Sequence, residues 1–169
     1  MHLHAETWVA VPRREVFPFF ADAANLQRLT PPWLHFTIRS PQPIPMRAGT
    51  RIEYRIRVRG LPMRWLSEIS GYDPPDAFVD TQIRGPYRRW VHTHRFIEDR
   101  GGTLIVDDVE FEVPGWRVGE ALVVPDLRRI FTFRHNALLS AFSEQTPWPP
   151  PRITIGRRAR ATSAGIVAR

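Results

Sequence analysis

From Trp33 the chain repeats one pattern six times and then changes period once, and that single change limits the folds open to it. Runs at Leu34 to Ser40, Thr50 to Arg59, Pro62 to Tyr72, Ala77 to Arg84, Tyr87 to Glu98 and Thr103 to Val113 alternate apolar and polar residues. Gly60, Asp73-Pro74-Pro75, Gly85-Pro86 and Arg100-Gly101-Gly102 punctuate them. Such short connections make neighbouring strands antiparallel. Asp126 to Phe142 then repeats at helical spacing, with Leu127, Ile130, Phe131, Leu138, Ala141 and Phe142 on one face and Arg128, Arg129, Thr132 and Asn136 on the other. A helix of this kind must cover an apolar surface, and the inner face of the sheet is the large one available.

Upstream, residues 3 to 11 alternate as an opening strand that Pro12 ends, with His2 and His4 on its wet side. Arg13 to Ala21 and Asn25 to Leu29 read as two short helices, the second stopped by Pro31 and Pro32. The expected class is α+β: a curved seven-stranded antiparallel sheet gripping a long C-terminal helix, with two short helices after the first strand. One domain over residues 1–144 accounts for this pattern. Residues 145–169 are rich in Pro and Arg without periodicity, which predicts a disordered tail.

The net charge of +7 over 169 residues suggests nucleic acid until it is placed along the chain. The tail carries 5 Arg and no acid, whereas residues 1–144 carry 19 Arg against all 17 acids. No aromatics interleave with the tail arginines, and the Arg51 to Arg59 face also carries Glu53, so a solvated surface is expected and no nucleic-acid partner. With no Cys, disulfides, thiolate metal sites and thiol nucleophiles are excluded. The start, MHLHAETW, has neither a basic n-region nor an apolar h-region, and no run approaches a membrane span; a cytoplasmic protein is the expectation.

Within the helical stripe Arg134 falls at the centre, one turn from Ile130 and one from Leu138. A guanidinium cannot be deprotonated, so it requires a carboxylate, a hydrated cavity or a bound anion, or else it snorkels to the helix edge. On the strand Tyr87 to Glu98 the arginines mark the wet side, which turns Trp90, His92, His94 and Phe96 inward. A four-residue connection over Asp99 to Gly102 sets His94 opposite Asp107, also inward. Asp80 and Gln82 join this face with Phe78 if the preceding turn has three residues, and leave it if the turn has two. So many polar groups exceed what a close-packed core accommodates, and a partly hydrated cavity between helix and sheet resolves the excess. An inward His beside an Asp is either a structural hydrogen bond or an acid-base pair. His92-x-His94 has a chelating spacing but only a carboxylate to complete it, so no metal and no cofactor are expected.

Together with LTPPWLHFTI at 29–38 and FVDTQIRGPYRRWVHTHRF at 78–96, this order of elements resembles the START-like, Bet v 1-like superfamily (SRPBCC domains), nearest its bacterial polyketide cyclase/dehydrase and lipid-transport branch. The resemblance covers about residues 3–143. It implies a deep apolar pocket for a lipid, polyketide, quinone or similar molecule, walled by Tyr54, Trp65, Phe78, Gln82 and Trp90. His92, His94, Asp107, Phe131 and Arg134 would complete the wall. Pro32 and Trp33 would frame the mouth, and Trp116, Leu122 and Val123, on a loop from Pro114 to Pro125, would form a lid. Carriers and enzymes share such a fold. The expected function is binding or carrying a hydrophobic molecule, with possible service to a separate enzyme. The alternative is an aromatase/cyclase or dehydratase in which His94, oriented by Asp107, moves a proton while Arg134 stabilises the enolate and His92 assists.

Overall fold

The computed structural model describes residues 1–143 and 149–157, with the Trp116 side chain outside that set. Strand β1 (His2–Val9) leads into helix α1 (Arg13–Ala21) and two 3-10 turns, Ala23–Gln27 and Pro32–Leu34. Strands β2 (Thr37–Ile38), β3 (Arg51–Val58), β4 (Leu61–Asp73), β5 (Ala77–Arg84), β6 (Arg89–Asp99) and β7 (Gly102–Glu112) follow. Helix α2 (Trp116–Phe142) and strand β8 (Arg152–Gly156) complete the fold. The strands form one sheet in the order β2-β3-β4-β5-β6-β7-β1-β8, antiparallel throughout.

The alternation sorts side chains as expected. In β1, Leu3, Ala5 and Val9 are buried, and in β7 so are Ile105, Asp107, Val109 and Phe111. The opposite face is wet and ion-paired: His4 Nδ1 lies 2.8 Å from Asp108, Arg89 bonds Glu110 at 3.0 Å, and Arg95 pairs with Asp108. Arg100 and Gly101 both take positive φ, 47° and 78°, which closes β6 on β7 through a two-residue turn whose twist suits the flanking strands. That turn sets His94 opposite Asp107. The β5–β6 register pairs Phe78 with His94 and Asp80 with His92, as the three-residue turn requires. The register shifts at Leu66/Ser67 and Ile69/Gly71 place one extra residue on β5, Ile83, and one on β4, Ser70, and such bulges bend the strands.

Four expectations need correction. The tail is not wholly without structure: Arg152–Gly156 pairs with β1, giving eight strands instead of seven. Ile153 and Ile155 alternate inward there, a period-2 signal hidden in a Pro- and Arg-rich context; 144–148 and 158–169 lie outside the described residues. The second short helix is a 3-10 turn shifted to Ala23–Gln27, started by the Asp22 carboxylate accepting the Ala24 N–H at 2.9 Å. The strand expected from Leu34 shrinks to Thr37–Ile38, because Pro32–Leu34 forms a further 3-10 turn. Finally, the Pro114 to Pro125 loop is helical from Trp116, with Pro125 inside α2. Pro125 and Ala121, the residue whose carbonyl would otherwise accept the missing N–H, are both exposed.

Helix α2 lies across the concave face, burying Leu127, Phe131, Leu138 and Leu139. Its apolar contacts fall into two clusters. Leu127 and Phe131 pack with Leu3, Trp65, Trp90, Val109 and Phe111, whereas Leu138 and Leu139 pack with Val16, Phe17, Phe20, Phe78, Phe96 and Ile105. Arg134 sits on the helix between these groups.

Half-burying two isoleucines contributes roughly 2 kcal/mol, and Arg128 Nη1 also donates to the Ile153 carbonyl at 3.1 Å. A chain ending at Ser143 is therefore expected to fold but to melt about 4–8 °C lower. An unchanged melting temperature in calorimetry would show that β8 adds nothing.

Candidate functional site

Helix and sheet do not close on each other fully. Between them lies a cavity of about 500 Å³, within the range of small-molecule sites. Its apolar wall comes from β3, β4, β5 and β6 through Ile52, Tyr54, Ile56, Trp65, Ile69, Phe78 and Trp90, and from α2 through Val123, Leu127, Ile130 and Phe131. The segment between β1 and β3 closes one side with Phe19, Phe20, Leu26, Leu29, Leu34 and Phe36. Sequence reading missed this third wall, since Phe17 to Leu29 reads equally as ordinary core. Polar atoms on the apolar side satisfy one another: Trp65 Nε1 donates to Ser67 Oγ at 3.1 Å, and the Tyr54 hydroxyl lies 3.3 Å from the same oxygen. Burial, assisted by the Asp80 charge, pushes the Tyr54 pKa well above its usual value, so this phenol stays neutral.

One patch of the wall is ionic. Arg134 reaches from α2 to β7 and donates to both oxygens of Asp107, Nε to Oδ2 at 2.8 Å and Nη2 to Oδ1 at 2.9 Å. Asp107 Oδ1 also lies 2.9 Å from His92 Nε2 and 2.9 Å from His94 Nδ1. The far nitrogens of both rings face Asp80: His94 Nε2 is 3.1 Å and His92 Nδ1 is 3.6 Å from Asp80 Oδ2. The two imidazoles lie 3.8 Å apart between centroids, and Phe78 stacks on His94 at 4.1 Å. Arg134, His92, His94 and Asp107 are each at least nine-tenths buried.

Burial alone would raise the Asp107 pKa, but the Arg134 charge and hydrogen bonds from both histidines outweigh it and hold it well below the usual carboxylate range. Burial likewise opposes ionisation of Asp80, and the hydrogen bond from His94 with the charges of His92, His94 and Arg134 reverses the effect, lowering its pKa. His92 is lowered by burial first and by neighbouring His94 second. Arg134 and Asp107 neutralise each other, which leaves Asp80 as the uncompensated charge whenever both rings are neutral.

The structure brings Tyr54, Trp65, Phe78, Trp90, His92, His94, Phe131 and Arg134 to one cavity. Asp107 stands behind the histidines, outside the lining. Gln82 is not among the lining residues: it pairs with Ser67 within β5, and its side-chain amide donates to the Tyr87 carbonyl at 2.7 Å and accepts the Tyr87 N–H at 3.3 Å. Asp80, the weaker expectation, is central. At the mouth, exposed Trp33 and Arg129 line the cavity with the Arg129 guanidinium 5.2 Å from the Trp33 ring, and Phe133 packs edge-on against that ring. Arg59 crosses to Asp126 at 2.9 Å and to the Leu122 carbonyl at 3.0 Å. Val123 lines the cavity; Pro32 and the Leu122 side chain do not, and both are solvent-exposed. Trp116, expected in the lid, has its side chain outside the described residues.

The family described as polyketide cyclase / dehydrase and lipid transport matches residues 9–138. No curated protein matches the chain. Among solved structures, protein CV1439 from Chromobacterium violaceum superposes with a TM-score of 0.68 at 13% identity, covering 86% of this chain and 99% of that one. Protein Ms6760 from Mycobacterium smegmatis gives 0.61 at 20% identity over 83% and 91% of the two chains. Ara h 8.0201 gives 0.61 at 15% identity over 86% and 99%. These likenesses support the helix-grip fold. Among the described residues, no helix is long and apolar enough to cross a membrane.

Removing Arg134 alone leaves Asp107 charged and buried, so Arg134→Met is expected to cost about 3–5 kcal/mol in urea unfolding at pH 7, whereas Arg134→Met with Asp107→Leu recovers most of it. A loss below about 1 kcal/mol for the single change would show the pair to be dispensable. Because the folded pKa of Asp107 lies below its unfolded value near ~3.9, the folded protein binds fewer protons between those two values. The stability it contributes is present above the unfolded pKa and lost as pH falls through the folded one. Unfolding free energies measured from pH 7 to pH 3 should fall below about pH 4–5 in the wild type and less steeply in the double variant.

Proposed function

From its membership of the polyketide cyclase/dehydrase and lipid-transport family, we propose that this chain binds a hydrophobic small molecule between α2 and the sheet, with the guest's polar end at the histidine patch. The observation that carries this reading is the cavity itself: about 500 Å³ walled mainly by aromatic and aliphatic side chains, with one compact ionic patch on its wall. Removing a guest's apolar surface from water against such a wall supplies affinity, while a few placed polar groups orient it.

Arg134 is not the anchor for an anionic guest. Its guanidinium is already matched in charge and geometry by Asp107, and displacing that carboxylate would strand a buried charge. A guest with a neutral carbonyl or hydroxyl suits the patch better than one with a free carboxylate. Cations available to an acidic group stand at the mouth, where Arg129 is exposed.

A second reading draws on the position of His94, whose ring lines the cavity between two carboxylates. Proton transfer next to a guest's carbonyl, the aromatase/cyclase or dehydratase alternative, would use this imidazole. It predicts that the protein accelerates exchange of α-protons of a bound ketone into D2O and that His94→Asn abolishes the acceleration. Ketone that binds without such exchange would leave the carrier reading alone.

Binding itself is tested by titration with the uncharged fluorophore N-phenyl-1-naphthylamine. Ile130 lines the cavity from α2, so Ile130→Trp should fill it and weaken the probe at least about tenfold, about 1.4 kcal/mol. Circular dichroism would confirm that the variant is folded. Equal affinity in both proteins would mean that the probe sits elsewhere and would contradict the proposal.

A further inference from the structure

We propose that Asp80, His92 and His94 form a binding site for a divalent first-row transition-metal ion, open on one side to the cavity. The inference goes beyond the binding of a hydrophobic guest, which does not require it. Each residue offers one donor atom, and Asp80 Oδ2, His92 Nδ1 and His94 Nε2 lie within 4.8 Å of one another. Donors about 2.0 Å from a tetrahedral ion stand about 3.3 Å apart, so the separations of 3.1 and 3.6 Å from Asp80 to the two rings already approach a metal's coordination sphere.

What distinguishes this trio from a chance cluster is the arrangement behind it. Asp107 Oδ1 lies 2.9 Å from the other nitrogen of each ring, His92 Nε2 and His94 Nδ1. Arg134 holds that carboxylate ionised and acceptor-only through two hydrogen bonds. In the metal-free protein His94 Nε2 donates to Asp80 at 3.1 Å and His94 Nδ1 lies 3.2 Å from Arg134 Nη2. An ion takes the place of the Nε2 proton, and with both rings then donating to Asp107 the lone pairs of His92 Nδ1 and His94 Nε2 turn to the ion. A carboxylate behind a ligating imidazole fixes tautomer and ring orientation, and here one carboxylate serves two rings. Charge agrees with this: Arg134 and Asp107 cancel, and a dication meets the remaining charge of Asp80. Two nitrogens with one carboxylate favour zinc, iron, cobalt or nickel over magnesium or calcium. All three ligands line the cavity, so the vacant positions of the ion point into it, where a carbonyl, enolate or hydroxyl oxygen of the guest could coordinate.

The strands explain the convergence. His92 and His94 share one face of β6, and the β5–β6 register pairs Asp80 with His92. The competing cluster of His2, His4, Glu6 and Asp108 is solvent-facing, and its imidazoles already pair with the two carboxylates at 2.8–3.2 Å.

The full-length protein, stripped with a chelator, would be titrated with Co²⁺ and Zn²⁺. Expected are one equivalent of Co²⁺ with visible d–d absorption, displacement by Zn²⁺ and a raised melting temperature. Asp80→Asn and His92→Gln should each weaken Co²⁺ at least about tenfold, whereas His2→Ala with His4→Ala should not. ¹⁵N-histidine spectra of the wild type need no variant: Zn²⁺ should shift His92 Nδ1 and His94 Nε2 and leave His2, His4 and His135 unmoved. Absence of Co²⁺ absorption, binding unchanged in Asp80→Asn, or shifts at His2 and His4 would each overturn the proposal. N-phenyl-1-naphthylamine titrated into the same metal-free samples reports separately on hydrophobic binding.

Discussion

A guanidinium that cannot lose its proton lies inside this protein, and the pairing of Arg134 with Asp107 makes that possible. The two hydrogen bonds join the long helix to the sheet where the apolar contacts of α2 divide into two clusters. Replacing a buried ion pair with well-packed apolar residues is often neutral or stabilising, so this pair is better understood through geometry than through net stability. It sets the rotation and height of α2 over the sheet. It also keeps Asp107 ionised as an acceptor for two imidazoles, and Asp80 receives their other sides. The polar patch is thus built outward from one contact, while aromatic side chains exclude water around it.

That construction governs what the cavity can accept. With its interior cation neutralised, the site offers a broad apolar wall, hydrogen-bonding imidazoles and one unbalanced carboxylate, Asp80. It is a poor receptacle for a free fatty acid with its head group inside, and a better one for an apolar molecule carrying carbonyl or hydroxyl oxygens. The same unbalanced charge invites a cation. At the entrance, Arg59 is tied to Asp126, whereas Arg129 lies over Trp33. In the function proposed for this cavity, selection of guests by charge therefore belongs to the mouth, and orientation to the histidines.

Much of this was legible in the sequence because strand parity is unforgiving. A one-residue slip would turn His92 and His94 outward with the arginines, and the Arg100-Gly101 turn left little freedom in the β6–β7 register. Arg134 was conspicuous because a lone charge in an apolar stripe demands a partner. Gln82 is drawn out of the lining by its side-chain hydrogen bonds to the Tyr87 main chain, a contact that periodicity does not reveal. The early start of α2 was hidden by Pro125, which marks a helix end unless its side faces water. Strand β8 was hidden by composition: the alternation Arg152, Ile153, Thr154, Ile155 is short and stands among prolines and arginines. Asp80 could not be ranked without knowing the β5–β6 turn length, and so the group that joins both rings was the one least exposed to sequence reasoning.

The most direct test of the account is a calorimetric titration of the protein with straight-chain 2-alkanones of increasing length. If the guest enters the cavity, each added methylene should tighten binding about fourfold, from about 0.8 kcal/mol per buried CH₂. The increments should cease once the chain outgrows the roughly 500 Å³ available. Affinity that is flat with chain length, or no binding at any length, would contradict a hydrophobic guest in this cavity.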